Sequence, residues 1–143
     1  MEPNWRRAER LLEQLAEMLH GFHSLGWVWR DCKPANLICH KGRLWALDFE
    51  GACRIEQTET IPWGSPAYSR PTDHRTFARR PGTGEDDYAA GVIGFLFATG
   101  VLPPAARGPR FRLLKQSGCS PALRDRIETQ LASDGCLAGR SAE

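Results

Sequence analysis

Two short polar stretches joined by an apolar hairpin constrain this chain more than any other feature. The first is Trp29-Arg30-Asp31-Cys32-Lys33-Pro34-Ala35-Asn36, and the second is Leu47-Asp48-Phe49-Glu50. Between them, Leu37-Ile38-Cys39-His40 and Arg43-Leu44-Trp45-Ala46-Leu47 flank Lys41-Gly42. A two-residue turn containing glycine between apolar runs predicts a hairpin over 37–47. Antiparallel pairing brings the two open ends of a hairpin side by side. Asn36 and Asp48 are therefore expected at the same end of one ladder, next to the polar loop 29–36.

That constellation has the groups required for phosphoryl transfer from a magnesium nucleotide. Asp31 can accept the proton of an attacking hydroxyl, Lys33 can neutralise charge on the moving phosphoryl group, and Asn36 and Asp48 can hold the metal. On these residues the chain resembles eukaryotic-type Ser/Thr protein kinases: Trp29-Arg30-Asp31 is similar to their H-R-D catalytic loop, and Asp48-Phe49-Glu50 to their D-F-G. The resemblance implies ATP and Mg2+ as cofactors. It makes Asp31, Lys33 and Asn36 the catalytic residues, Lys33, Asn36 and Asp48 the nucleotide-binding ones, and a protein or peptide bearing Ser or Thr the substrate.

Taken in order, Trp5, Ala8, Leu11, Leu12, Leu15, Leu19, Phe22 and Leu25 fall at steps of three and four, the apolar face of an amphipathic helix over 4–25 that Gly26 stops. Leu19 to Val28 resembles the segment that leads into the kinase catalytic loop at 29–36. Residues 48–71 have the Pro and Gly content of a loop and resemble an activation segment. Within it, Gly64, Ser65, Pro66 and Tyr68 match the family's G-T-P-x-Y anchor, whereas Thr72 replaces the Glu of its A-P-E and leaves Arg140 as a doubtful counterpart of that Glu's Arg partner. Glu85 to Phe97 predicts a helix over 86–98, acidic at its start and apolar nearly all round, hence buried. It resembles the central helix of the kinase lobe, with Asp87 as the residue that braces the catalytic loop and Arg30 in a structural role. Beyond Gly100 come Pro103, Pro104 and Pro109, then a short helix over 120–133 capped by Ser120, with Pro121 in its first turn.

The 143 residues predict a single domain of α+β class, a mainly helical kinase-like C-terminal lobe with a short β-hairpin. No apolar run approaches the ~20 residues of a membrane span, and the start of the chain lacks a secretory pattern, so a cytoplasmic, membrane-free protein is expected. Five cysteines without a C-x-x-C pair argue for reduced thiols over disulfides or a zinc site. His20 and His23 have the spacing to share a metal but no carboxylate pattern beside them, and packing roles are favoured. A net charge of +2 does not call for nucleic acid, and Arg70, Arg75, Arg79 and Arg80 fit a solvated loop.

The resemblance spans roughly residues 10–135 yet covers only the second lobe of a kinase. The Gly-rich strand, the V-A-I-K lysine and its Glu partner have no counterpart, so the N-terminal lobe is expected to be supplied in trans or by a longer gene. Trp27, Leu37 and Trp45 are expected on the apolar surface that would meet it. W-R-D and D-F-E-G-A are most similar to the kinase domains of bacterial lanthionine synthetases. Two alternatives stand beside an active kinase lobe: a silent pseudokinase or scaffold, favoured by the missing lobe and Thr72, and a small-molecule phosphotransferase of the aminoglycoside or choline type. Lys33-Pro34 and the Gly64 to Pro71 anchor weigh against the last.

Overall fold

The computed structural model describes residues 2–57, 63–70 and 82–132. Thr72, Arg75, Arg79, Arg80 and Arg140 lie outside the described residues. The architecture is α+β and mainly helical, as the sequence predicts.

Helix α1 (Trp5–Ser24) begins at Asn4, whose Oδ1 accepts the backbone N–H groups of Arg6 and Arg7 at 3.1 and 3.2 Å. Those are donors that a helix start leaves without partners. Ala8, Leu12, Leu15 and Leu19 are buried along its inner face. The apolar spacing runs one residue past the helix: Leu25 is the C-cap and is 74% exposed, and Gly26 turns the chain at φ +85°.

Strand β1 (Trp27–Val28) follows, then a one-turn 3-10 helix at Pro34–Asn36 and the hairpin of β2 (Leu37–His40) and β3 (Arg43–Ala46). Lys41 and Gly42 have φ of 50° and 73°, the two left-handed residues that a tight hairpin turn of matching twist requires. The register pairs Leu37 with Ala46 and Ile38 with Trp45, and Leu47 N–H adds one bond to Asn36 O at 2.8 Å. Gln14 fastens the hairpin to α1: its Nε2 donates to Gly42 O at 2.9 Å and its Oε1 accepts Leu44 N–H at 2.9 Å. Strand alternation sorts the side chains. Leu37 packs against the core, whereas its neighbour Ile38 faces out with its partner Trp45, at 46% and 52% exposure. The expected apolar surface therefore includes Ile38 in place of Leu37.

A second two-stranded pairing escapes the sequence pattern. Strand β4 (Cys53–Arg54) runs antiparallel to β1, with Trp27 opposite Arg54 and Val28 opposite Cys53. Two residues per strand are too few to show alternation. The pairing nevertheless closes the two polar stretches into one loop system.

Helix α2 (Thr83–Thr99) is the buried spine, three residues longer at its start than the acidic signal predicts, with Glu85 accepting the Gly82 N–H at 3.1 Å. It is approached closely on two sides. A Cβ at Gly94 would lie 2.5 Å from Leu12 Cδ1 of α1, and one at Gly91 would lie 2.9 Å from Gln130 Cβ. Gly94→Val is expected to destabilise the fold by about 1–3 kcal/mol, because Leu12 is fully buried and has no empty space to move into. Urea denaturation checks this, and an unchanged midpoint would contradict the packing described.

Helix α3 (Arg107–Gln116) falls in a segment to which the sequence reading assigns no element. Pro109 misleads there, since it occupies the first helical turn, where a missing N–H costs nothing. The guanidinium of Arg110 forks onto Glu128 of α4 (Pro121–Leu131), Nε to Oε1 and Nη2 to Oε2, each at 3.0 Å. Helix α4 is capped by Ser120, whose Oγ accepts Leu123 N–H at 3.1 Å. Among the described residues, no helix is long and apolar enough to cross a membrane.

Candidate active site

The loop from Trp29 to Asn36 is held from below by one carboxylate. Asp86, fully buried in the first turns of α2, accepts Trp29 N–H at 2.9 Å and His23 Nε2–H at 2.8 Å on Oδ2, and Arg30 N–H at 2.8 Å on Oδ1. Arg30 adopts φ +71°, which costs a non-glycine residue about 1 kcal/mol or more and persists only where the surroundings impose it. The bonds to Asp86 impose it. This corrects the assignment of Asp87 as the brace. One residue along a helix is a rotation of about 100°, so Asp86 points at the loop and Asp87 does not. Burial raises the Asp87 carboxyl above its ordinary value, a shift that His23 opposes, Asp86 reinforces and Arg70 opposes. Arg30 itself is buried, and its Nη1 reaches Cys53 Sγ at 3.4 Å.

Three of the sequence-selected residues converge above this brace. Asn36 Nδ2 donates to Asp31 O at 2.9 Å and to Asp31 Oδ2 at 3.0 Å, which fixes both the amide and the carboxylate. Lys33 Nζ lies 3.6 Å from Asp31 Oδ1 and donates to Ser65 Oγ at 2.9 Å. The Asp31 side chain is 11% exposed and Lys33 is 28% exposed, so the carboxylate is sheltered and still reachable. Cys32, between them in sequence, points the other way into the core. Burial, with Asp86 and Asp31 adding to it, raises its thiol well above the ordinary value, so the sulfur is an inert packing group.

Asp48 reaches the same region by a different route. Trp29 replaces the expected His and is fully buried, and its Nε1–H donates to Asp48 O at 2.8 Å. The rings of Phe22, Trp29 and Phe49 form a cluster with centroid separations of 5.2 to 6.1 Å. Asp48 carries the left-handed conformation of this stretch, φ +61°, and Glu50 does not. The Glu that replaces a glycine is therefore accommodated without strain. Asp48 is exposed, and its Oδ1 accepts Glu50 N–H at 3.2 Å. Gly51 is buried beneath Trp63, whose indole would lie 2.0 Å from a Cβ there.

These groups fit a magnesium nucleotide. Asn36 Nδ2 is spent on Asp31, and among the described residues its Oδ1 has no protein partner. Asp48 Oδ2 has no protein partner among the described residues. Both are hard oxygen donors, few enough to leave positions for water and phosphate, as magnesium prefers. Among the described residues, no cluster of three His, Cys, Asp or Glu forms an alternative metal site. His20 and His23 turn to Ser24 and Asp86 respectively.

The residues that resemble an activation segment in sequence are brought partly into this region. Gly64 turns at φ +110°, Pro66–Tyr68 form a 3-10 turn, and Ser65 O accepts Tyr68 N–H at 2.9 Å and Ser69 Oγ–H at 3.0 Å. Ser65 thus meets Lys33, while Tyr68 packs against the core and burial raises its phenol. Sequence reasoning did not foresee Ser65 as the partner of Lys33, Trp63 over Gly51, or Phe22 against Phe49. Each joins residues too far apart in sequence to leave a local signal.

No family model matches the chain. The serine/threonine-protein kinase PEPKR2 of Arabidopsis thaliana is 33% identical over 101 residues, 68% of this chain and 21% of that protein. The serine/threonine-protein kinase pkn2 of Myxococcus xanthus is 30% identical over 138 residues, covering 88% of this chain and 16% of the relative. Calcium-dependent protein kinase SK5 of Glycine max is 33% identical over 104 residues, 68% of this chain and 20% of the relative. The chain thus resembles Ser/Thr protein kinases over most of its own length while spanning 16 to 21% of the lengths of these relatives.

Proposed function

We propose that this chain carries the catalytic loop and metal-binding loop of an ATP-dependent phosphotransferase of the Ser/Thr protein kinase type. The observation that carries this reading is the cluster of Asp31, Lys33 and Asn36, with Asp48 delivered to the same end of the hairpin. Asp31 Oδ1 and Oδ2 are the base for a Ser or Thr hydroxyl of a protein or peptide. Asn36 holds that carboxylate in place, and Lys33 lies where it can offset charge on the group in transfer. Asn36 Oδ1 and Asp48 would hold magnesium, which when bound with ATP supplies an activated phosphoryl group and neutralises its charge. The resemblance to lanthionine-synthetase kinase domains refines the substrate to a precursor peptide. The Trp29 to Asp48 bond supports a metal-binding loop that stays in one arrangement.

A separate lobe is part of the proposal. Trp27, Ile38, Trp45, Leu47 and Phe49 are 37 to 52% exposed, apolar area that suits a second structural unit over the hairpin and Asp48. Such a unit would supply the phosphate clamp that Asp31 needs for an in-line geometry.

Magnesium binding by the chain alone is expected to be weak and to tighten when ATP is present, since nucleotide phosphates complete the octahedron. Calorimetric titration of magnesium with and without ATP checks this. Asp48→Ala is expected to abolish the ATP-dependent gain, and identical titrations of Asp48→Ala and the wild type would overturn the metal assignment.

A further inference from the structure

We infer that the cleft between α1 and the β2–β3 hairpin is a docking groove for an acidic peptide segment with apolar anchors, separate in function from the Asp31 cluster. The cleft has a volume of about 890 Å3, and its apolar lining includes Leu11, Leu37, Leu44 and Phe97. Arg7 and Arg10 from α1 and Lys41 from the hairpin turn also line it, and among the described residues no carboxylate does. Arg7 and Arg10 are three residues apart and so share one helix face, with Lys41 on the facing element. All three are exposed, and none has an ion-pair partner among the described residues.

The shape is already built in the free chain, because Gln14 ties α1 to Gly42 of the hairpin turn and to Leu44 of β3. A preformed groove spares a partner the cost of ordering it. A small anion suits the site less well, because the cations come from two separate elements and Leu11, Leu37, Leu44 and Phe97 make much of the remaining lining apolar. A peptide does suit it, with leucine-like side chains against the apolar lining and Glu or Asp against Arg7, Arg10 and Lys41. Rim pairs of this kind steer association and weaken with salt.

The test is binding of a fluorescein-labelled peptide with leucines at helical i, i+3, i+4, i+7 spacing and glutamates between them, read by anisotropy without nucleotide. The wild-type chain is expected to bind it, more weakly as salt rises, and not to bind the same peptide with lysines in place of glutamates. Arg10→Glu combined with Lys41→Glu should weaken binding by roughly tenfold or more. Arg112→Glu, an exposed cation outside the cleft, should leave it unchanged. Circular dichroism establishes that both variants remain folded. The inference is overturned if the wild type does not bind the acidic peptide. It is also overturned if the double variant binds as tightly as wild type, or if Arg112→Glu loses as much as the double variant, since the interaction would then reflect net charge.

Discussion

Asp86→Ala is expected to lower the unfolding free energy by about 3–5 kcal/mol, the scale of a buried charged group removed from its partners. Three donors lose their acceptor at once: Trp29 N–H, Arg30 N–H and His23 Nε2–H. The two backbone groups lie at buried residues, where water does not readily replace the carboxylate. Against the roughly 5–15 kcal/mol that stabilises a typical domain, such a loss leaves a chain of this size close to unfolding at ordinary temperature. Asp87→Ala provides the contrast. Its carboxyl is half-buried, and desolvation opposes its charged form, so its removal is expected to cost less than about 1 kcal/mol. Urea denaturation of the two variants at one pH measures the difference. A larger loss for Asp87→Ala would restore Asp87 as the brace and contradict the geometry described.

The parts of this molecule that were legible in the sequence are those whose signal is local. The apolar steps of α1, the Lys41-Gly42 turn and the apolar run of α2 each declare themselves within a window shorter than the element. The hairpin then brings Asn36 and Asp48 to the same end of one ladder, which is why that placement was legible from spacing. What sequence reasoning missed is long-range or lies at a boundary. The β1 and β4 pairing joins residues 27–28 to 53–54 through only two residues on each strand. Helix α3 was hidden by a proline that its first turn tolerates. The choice between Asp86 and Asp87 depends on which face of α2 meets the loop, and a helix that is apolar nearly all round does not show that face. Ser65 is brought to Lys33 by the path of the whole loop, which no periodicity encodes.

Asp31→Asn is expected to reduce phosphate transfer by about 10²–10⁴-fold, the contribution of a positioned general base. The substitution is close to isosteric, and an amide oxygen at Oδ1 or Oδ2 can still accept from Asn36 or Lys33, so the loop should keep its shape while losing its capacity to take a proton. Lys33→Met should also lower the rate, and it would do so through lost charge stabilisation with the proton acceptor intact. Neither effect is measurable unless ATP is held in line, which calls for a phosphate-clamping lobe in trans. The most direct measurement is therefore transfer of labelled phosphate from ATP to a Ser- or Thr-containing peptide by the chain paired with such a lobe, for wild type and Asp31→Asn. The account predicts transfer by the wild-type pair and its loss by at least about two orders of magnitude in the variant. Equal rates for the two, or an inert wild-type pair that nevertheless binds magnesium and ATP, would contradict it and leave the chain a scaffold.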